Sequence, residues 1–443
     1  MREIKSITTV YARMRISENQ FIDLIKNRVV RNASWIIVCR IIQAVIAVII
    51  SMLTARYLGP SNFGLINYAS SLVAFMAPIM YLGFNSVIVQ DLVDSPEKEG
   101  EILGTAIILS LCSAVMCVGG IFAFVNIVNA GEKDTIVVCA LYSTLLLCQA
   151  IDLIQYWFQA KLKSQYTSVT ILIAYTVVSI YKIYLLVTGK NVYWFAISQS
   201  IDYLIIAVTL NIIYRKSGGA NLSFNKDIAR KLFSKSKYYI VSSMMVTIFA
   251  HTDRIMLKLM IDDAAAGYYS AAVSCAGMSS FVFIAIIDSA RPAILTSHDN
   301  NRSAFEKKTV ILYRVVIVLS LLQSVIMAMF ARLFVNILYG DAYIPSVSIL
   351  RIIVWYCMFS YYGGAKDVWI LAEGKQKYLI YLNMGGVIAN IVLNLLLIPP
   401  FGPEGAAIAS LVTQIFTNLV MGAIIKPLRR NNMHLFRAIF PNK

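Results

Sequence analysis

Arg40, Lys182, Arg254 and Lys366 each stand inside a stretch of about twenty otherwise apolar residues, long enough to cross a bilayer. A cation at the centre of a spanning helix costs roughly 2.5 to 3.5 kcal/mol on insertion scales, so it persists where it faces protein or a wet cavity. The four together predict a polar path whose contents are anionic. Around Arg40, the polar or small residues Gln43, Ala47, Ser51 and Thr54 recur every three or four places, which puts them on one helical face. Ser243, Thr247, His251, Arg254 and Lys258 repeat the pattern. Two polar faces on one shared cavity is the expectation; packing of each stripe on a neighbouring helix, with its charge neutralised locally, is the alternative.

Trp355, Phe359, Tyr362, Lys366 and Trp369 also share a face, so a cation stands among aromatic rings. Trp355, Tyr362 and Trp369 could stack on sugar rings while Lys366 holds an anion, or the face is packing and interfacial anchoring. The acids in apolar stretches are Asp152, Asp202, Asp253, Asp288 and Asp367. They could pair with the cations, carry a proton or bind sodium, and pairing is the default. Asp253 precedes Arg254, so their side chains diverge by about 100° on a helix. His251, one turn from Arg254, is either a titrating group or a hydrogen-bonded interior His.

These residues need a membrane to make sense of them. Of the 443 residues 59% are hydrophobic and 14% charged, and the mean hydropathy is +0.71; soluble domains lie well below this. Apolar runs fall at 34–55, 65–88, 104–126, 135–159, 166–188, 192–214, 236–259, 267–290, 311–335, 347–371, 378–398 and 404–426, which predicts an all-α polytopic membrane protein of about twelve transmembrane helices. The net charge of +16 sits in alternate loops rather than in one patch, so it reads as topology and not as a nucleic-acid surface. Arg2, Lys5, Arg13, Arg15, Lys26, Arg28 and Arg31 precede the first run, and Arg215, Lys216, Lys226, Arg230, Lys231, Lys235 and Lys237 divide the sixth from the seventh. The positive-inside bias therefore puts both termini and the middle segment in the cytoplasm. One loop of that set dissents: 91–101 carries Asp91, Asp94, Glu97, Glu99 and Glu101.

Two six-span halves follow: an amphipathic arm at 1–33, an N-lobe at 34–214, a basic linker at 215–235, a C-lobe at 236–426 and a basic tail at 427–443. The second half echoes the first. Trp157, Ala160, Lys163 and Tyr166 recur in register as Trp369, Ala372, Lys375 and Tyr378, and Gly64–Ala69 matches Gly267–Ala272 at its ends. Such repeats place transporter substrate sites between their halves. Pro78 predicts a kink in span two unless neighbours compensate, and Gly385–Gly386 a close helix approach. The seven cysteines all lie in apolar runs with no ligand spacing and read as packing residues. No cleavable signal peptide precedes the first run. There is no GxxxxGK[ST] loop for ATP and no loop long enough for a catalytic domain, so neither an enzyme nor a cofactor is expected.

Ala55-Arg56-Tyr57-Leu58-Gly59-Pro60-Ser61-Asn62-Phe63-Gly64 resembles the signature after the first span of bacterial O-antigen and polysaccharide repeat-unit flippases, members of the multidrug/oligosaccharidyl-lipid/polysaccharide exporter superfamily. The likeness continues through Trp157–Lys161, Thr252-Asp253-Arg254, Ala266–Ala272, Tyr339–Tyr343 and Asn390–Pro399. It implies a V-shaped exporter of two six-helix lobes in the bacterial inner membrane. Such a protein would carry undecaprenyl-pyrophosphate-linked oligosaccharide to the periplasmic leaflet by alternating access through a cationic cavity, for O-antigen or lipopolysaccharide synthesis. Partners implied are that lipid-linked glycan, membrane lipids, a polysaccharide polymerase and a chain-length regulator, with no nucleic acid. The alternatives are an ion-coupled multidrug exporter of the same superfamily, disfavoured by the buried cations, and a membrane-embedded polymerase or glycosyltransferase, disfavoured by the short outer loops.

Overall fold

The computed structural model describes residues 18–440, with side chains given for 38–298 and 301–440, and is helical along its length. Residues 1–17 of the expected N-terminal arm, and 441–443 of the tail, lie outside the described residues. Nine stretches among them are long and apolar enough to cross a membrane, and two of these, Val38–Met80 and Lys377–Ile424, have 43 and 48 residues and cross twice. With the helix bearing Lys366, whose charges keep it below that apolarity, this makes about twelve crossings.

The first two crossings form α1 (Glu18–Met80), broken at Gly59, where φ is 71° and ψ 173°. That left-handed φ favours glycine, and Pro60 beyond it restarts the helix at fixed φ. Pro78 lies inside the second half without breaking its helical angles. The break in this long helix is at Gly59, and the carbonyl of Ala74, one turn before Pro78, loses its usual donor. After a short α2 (Ile88–Asp94), α3 (Glu99–Val128) is the third crossing. The fourth comes in pieces, α4 (Lys133–Ser143), α5 (Leu145–Ile151) and α6 (Gln155–Ala160), and α7 (Ser164–Val187) and α8 (Val192–Lys216) complete the first six.

The second half opens with α9 (Lys226–Met260), which begins ten residues before its apolar run because Asn225 caps it, accepting from the amides of Asp227 and Ile228. α10 (Asp263–Ala276) and α11 (Ser280–Asn300) make the eighth crossing, α12 (Arg302–Met329) the ninth. A short α13 (Ala331–Tyr339) leads to α14 (Ser346–Ala372), the tenth. α15 (Lys377–Ile415), broken at Gly402, carries the eleventh and much of the twelfth, which continues through a π-helical turn (Phe416–Val420) into α16 (Met421–Ile424). α17 (Arg429–Ile439) ends the described chain.

Each half has a buried cluster of its own, two further clusters join residues of both, and the repeat is visible in the backbone. Leu162 and Gly374, equivalent by the sequence match, both have positive φ (54° and 65°). After them the Lys163 amide donates to the Phe158 carbonyl at 2.7 Å and the Lys375 amide to the Ile370 carbonyl at 2.9 Å. Trp157 and Trp369 are both buried beneath lysines, Lys163 at 5.7 Å and Lys375 at 4.6 Å from the ring centroids. The acidic loop 91–101 also finds its reason. Asp91 pairs with Lys231 (3.8 Å) and Lys235, and Glu99 with Lys161 at 3.0 Å. Its acids neutralise the basic segment after span six, so loop and linker share one end of the molecule, called here the basic end.

Candidate functional site

Between the lobes lies a cavity of about 530 Å³. Its N-lobe wall is made by Ser70, Ala74 and Pro78 of α1, Gln149 of α5 and Gln199 and Tyr203 of α8, while α9 supplies Ser243, Thr247 and His251. The polar stripe expected on span seven thus faces the space between lobes. Among the described residues no Asp or Glu lines it. His251 Nδ1 stands 3.3 Å from Ser71 Oγ of the opposite lobe and 3.4 Å from an Arg254 Nη. Arg254 also donates to Ser270 at 3.2 Å and has no carboxylate within ion-pair distance among the described residues.

The end of the cavity remote from the basic segment is shut by residues that correspond in the two repeats. A Cβ on Gly64 would stand 1.8 Å from the Asp263 carbonyl oxygen, and one on Gly267 would stand 2.0 Å from that of Pro60. The lobes therefore meet backbone on backbone, a contact only glycine permits. Around it Arg56 donates to the carbonyls of Asn336, Ile337 and Leu338 at the end of α13, and Tyr343 donates to Ala55 O at 2.9 Å. Lys258 binds Glu132 of the N-lobe (2.6 Å) together with Asp263 (2.9 Å). Burial works to raise the Glu132 pKa, but the Lys258 ammonium, with Thr135 and Asn129, holds it below the usual carboxylate range. A depressed carboxylate stabilises the bound arrangement above its ordinary pKa and stops doing so as pH falls through the lowered one. Spin labels across this end should separate on acidification, less so in Glu132→Gln, where Asp263 is the remaining acid on Lys258. Since Glu132 is 46% exposed, added salt should reduce the effect.

Asp253, one residue before Arg254, faces away from the cavity and is buried. Its carboxylate accepts from Tyr269 of α10, from Asn390 (3.2 Å) and Asn394 (2.7 Å) of α15, and from Ser410 beyond the Gly402 break. Every donor is neutral, and Asn394 Oδ1 is buried there without a partner. The expected ion pair is therefore not formed. The four donors went unread in the sequence, although two amides one turn apart in an apolar run are the signal that would have found them.

The four cations are not brought together. Arg40 and Gln43 line a separate pocket within the N-lobe, since span one turns this face toward α6 and α7; the expectation of two polar faces on one cavity holds for α9 alone. Lys182 is half-buried near the field of Asp202, whose buried Oδ1 has no partner. Lys366 is buried in the C-lobe, donating to Asn418 Oδ1 at 2.7 Å and to the Thr417 carbonyl at 3.4 Å, both on the π-helical turn. Asp367, exposed, lines the same small pocket. Asp152 binds Gln155 at 2.7 Å, and exposed Asp288 pairs with Arg291 at 3.1 Å. The stacking face is also corrected. Trp369 is fully enclosed against His434, Tyr362 lies edge-on to Tyr313 with its hydroxyl accepting from Asn431, and Trp355 packs half-buried on the core. These rings serve packing and present no open face to a sugar in this structure. Gly385 and Gly386 do mark close approach: a Cβ on either would stand 2.8 Å from side-chain atoms of Met421 or Thr417.

Residues 29–298 match the family model described as polysaccharide biosynthesis protein. An uncharacterised membrane protein of Methanocaldococcus jannaschii is 26% identical over 235 residues, 50% of this chain and 45% of that one. Among solved structures, one titled lipid II flippase MurJ, inward closed conformation, has a TM-score of 0.68 at 14% identity, covering 91% of this chain and 90% of that one. An inward-facing multidrug resistance MATE family transporter has 0.67 at 11%, covering 88% and 96%. A MOP superfamily transporter from Pyrococcus furiosus has 0.55 at 12%, covering 91% and 96%. With a family match over more than half its length, the chain belongs to the polysaccharide biosynthesis protein family, and it shares the multi-pass, two-lobed helical fold of these solved structures.

Proposed function

We propose that the chain flips an undecaprenyl-pyrophosphate-linked oligosaccharide from the cytoplasmic to the periplasmic leaflet of the inner membrane, for O-antigen or a related surface polysaccharide. The observation that carries this reading is the inter-lobe cavity, free of acids among the described residues, with His251 on its wall and the unpaired Arg254 one turn behind it, 3.4 Å from the His251 ring. With the basic end cytoplasmic by the positive-inside bias, the cavity runs from His251 toward Gly83 and Asn85 near that side, and the Gly64–Gly267 contact closes the periplasmic side. The diphosphate lies against Arg254. The polyprenyl tail stays in lipid through the gap between lobes, where an apolar cleft of about 230 Å³ separates Ile41, Val45, Val48 and Ile49 of α1 from Met278 and Phe281 of the eighth crossing. A lining without carboxylates gives no counter-charge to cationic drugs, which speaks against the multidrug reading.

Outward movement of two negative charges is electrically downhill by about 2.3 kcal/mol per charge for each 100 mV of inside-negative potential. Asp253 offers a coupling site besides, since a proton or monovalent cation could replace the donors now on its oxygens. Arg254→Ala tests the reading. At equal protein level in cells it should reduce surface polysaccharide at least tenfold, as expected when a charge-assisted hydrogen bond worth about 1.5–3 kcal/mol is lost; polymer of normal amount and length would sink it.

A further inference from the structure

The pocket around Arg40 is separate from the inter-lobe cavity and is built for a different purpose. It measures about 200 Å³ and lies between α1, α6 and the first two turns of α7. That is several times the roughly 30 Å³ a water takes in the liquid. Arg40 is exposed into it and makes no ion pair among the described residues. The remaining polar lining is neutral: Gln43, Gln155, Gln159, Ser164, Thr167 and Ser168.

Thr167 is 9% exposed, and its hydroxyl has no hydrogen-bond partner. A buried hydroxyl without a partner costs about 1–3 kcal/mol, so its placement on a pocket wall points to something that binds there. The wall is also the N-terminus of the 24-residue α7, whose dipole favours negative charge. Behind the wall Asp152 accepts from the Gln155 amide at 2.7 Å through one carboxylate oxygen, while its other oxygen is buried without a partner. In the other lobe the residue matching Gln155 is Asp367, which lines the small pocket beside Lys366. The C-lobe pocket thus balances its cation with an acid, whereas the N-lobe pocket leaves its cation unbalanced. Ile41, Ile42, Val169 and Ile173, on the same two helices, are exposed apolar residues that a membrane would cover.

We infer that this pocket is an oxyanion site that takes the phosphate group of a membrane lipid through Arg40, the Thr167 hydroxyl and the start of α7. A lipid diphosphate, a phospholipid headgroup and free phosphate share this chemistry, and the test separates them. The full chain, purified in detergent, is titrated with undecaprenyl phosphate, with phosphatidylglycerol and with inorganic phosphate, and bound ligand is counted by native mass spectrometry. Saturable binding of a lipid phosphate should weaken about tenfold or more in Arg40→Gln and several-fold in Thr167→Val, and persist in the C-lobe surface control Lys377→Gln. Inorganic phosphate that competes at equal concentration would assign the pocket to the free ion and overturn the lipid. Lipid binding unchanged in both Arg40→Gln and Thr167→Val would overturn the site, and Thr167→Val, nearly isosteric, answers if the Arg40 variant does not fold. The readout is binding rather than translocation, so a negative result leaves the inter-lobe cavity untouched, and failure of Arg254→Ala leaves this pocket untouched.

Discussion

Gly267→Val should abolish transport while leaving a folded, membrane-inserted protein. The added Cβ would overlap the Pro60 carbonyl oxygen at 2.0 Å, and that oxygen belongs to backbone, which cannot swing aside as a side chain could. Overpacking a close contact costs about 1–3 kcal/mol, a five- to 150-fold shift against the closed state. Gly64→Val should act alike, because the Asp263 carbonyl faces it at 1.8 Å. The overlap exists only where the lobes meet, so the cost falls on closure and spares each lobe's own core. In the orientation proposed above, cysteine accessibility at position 247, on the cavity wall, should then rise from the periplasmic side and fall from the cytoplasmic side. Normal surface polymer in both glycine variants would show that this contact is no gate.

On the coupling role proposed for Asp253, Asp253→Asn should leave the protein folded and make its transport indifferent to sodium and to pH. The carboxylate gathers four donors from three crossings besides its own, and hydrogen bonds to a charged group contribute about 1.5–3 kcal/mol each. The amide keeps the shape but turns one acceptor into a donor that faces other donors. Asp253→Ala should be more severe, since it orphans Tyr269, Asn390, Asn394 and Ser410 in a buried place, and is expected to lower the melting temperature and the amount of protein. Turnover measured with sodium varied at fixed pH, and with pH varied at fixed sodium, identifies the ion. Wild-type dependence on both in Asp253→Asn would remove Asp253 from coupling.

Span number, the repeat and the cavity-facing side of span seven were legible because each depends on periodicity along one chain segment. The register of Trp157 with Trp369 returned in space as matching left-handed residues at 162 and 374. Span one shows the limit of that reading. A polar stripe states that a helix has a polar side, yet not whether that side meets the other lobe or its own, and Arg40 turned inward to α6 and α7. The aromatic face of span ten misled for a related reason: in a helix enclosed by neighbours, ring periodicity marks packing as readily as an open surface. The acids of loop 91–101 opposed the charge bias in sequence and conform to it in space, since Lys161, Lys231 and Lys235 stand against them. The donors around Asp253 come from residues up to 157 positions away, beyond the reach of any local pattern.

The flippase reading is tested most directly by reconstituting the purified chain in vesicles with a fluorescent undecaprenyl-pyrophosphate-linked oligosaccharide and following quenching by an impermeant reductant. The wild-type chain should make nearly all of the labelled glycan accessible, and Thr247→Trp, which fills the inter-lobe cavity, should leave the inner-leaflet half protected. Accessibility as fast with Thr247→Trp as with the wild-type chain, or no faster with the wild-type chain than in protein-free vesicles, would contradict it.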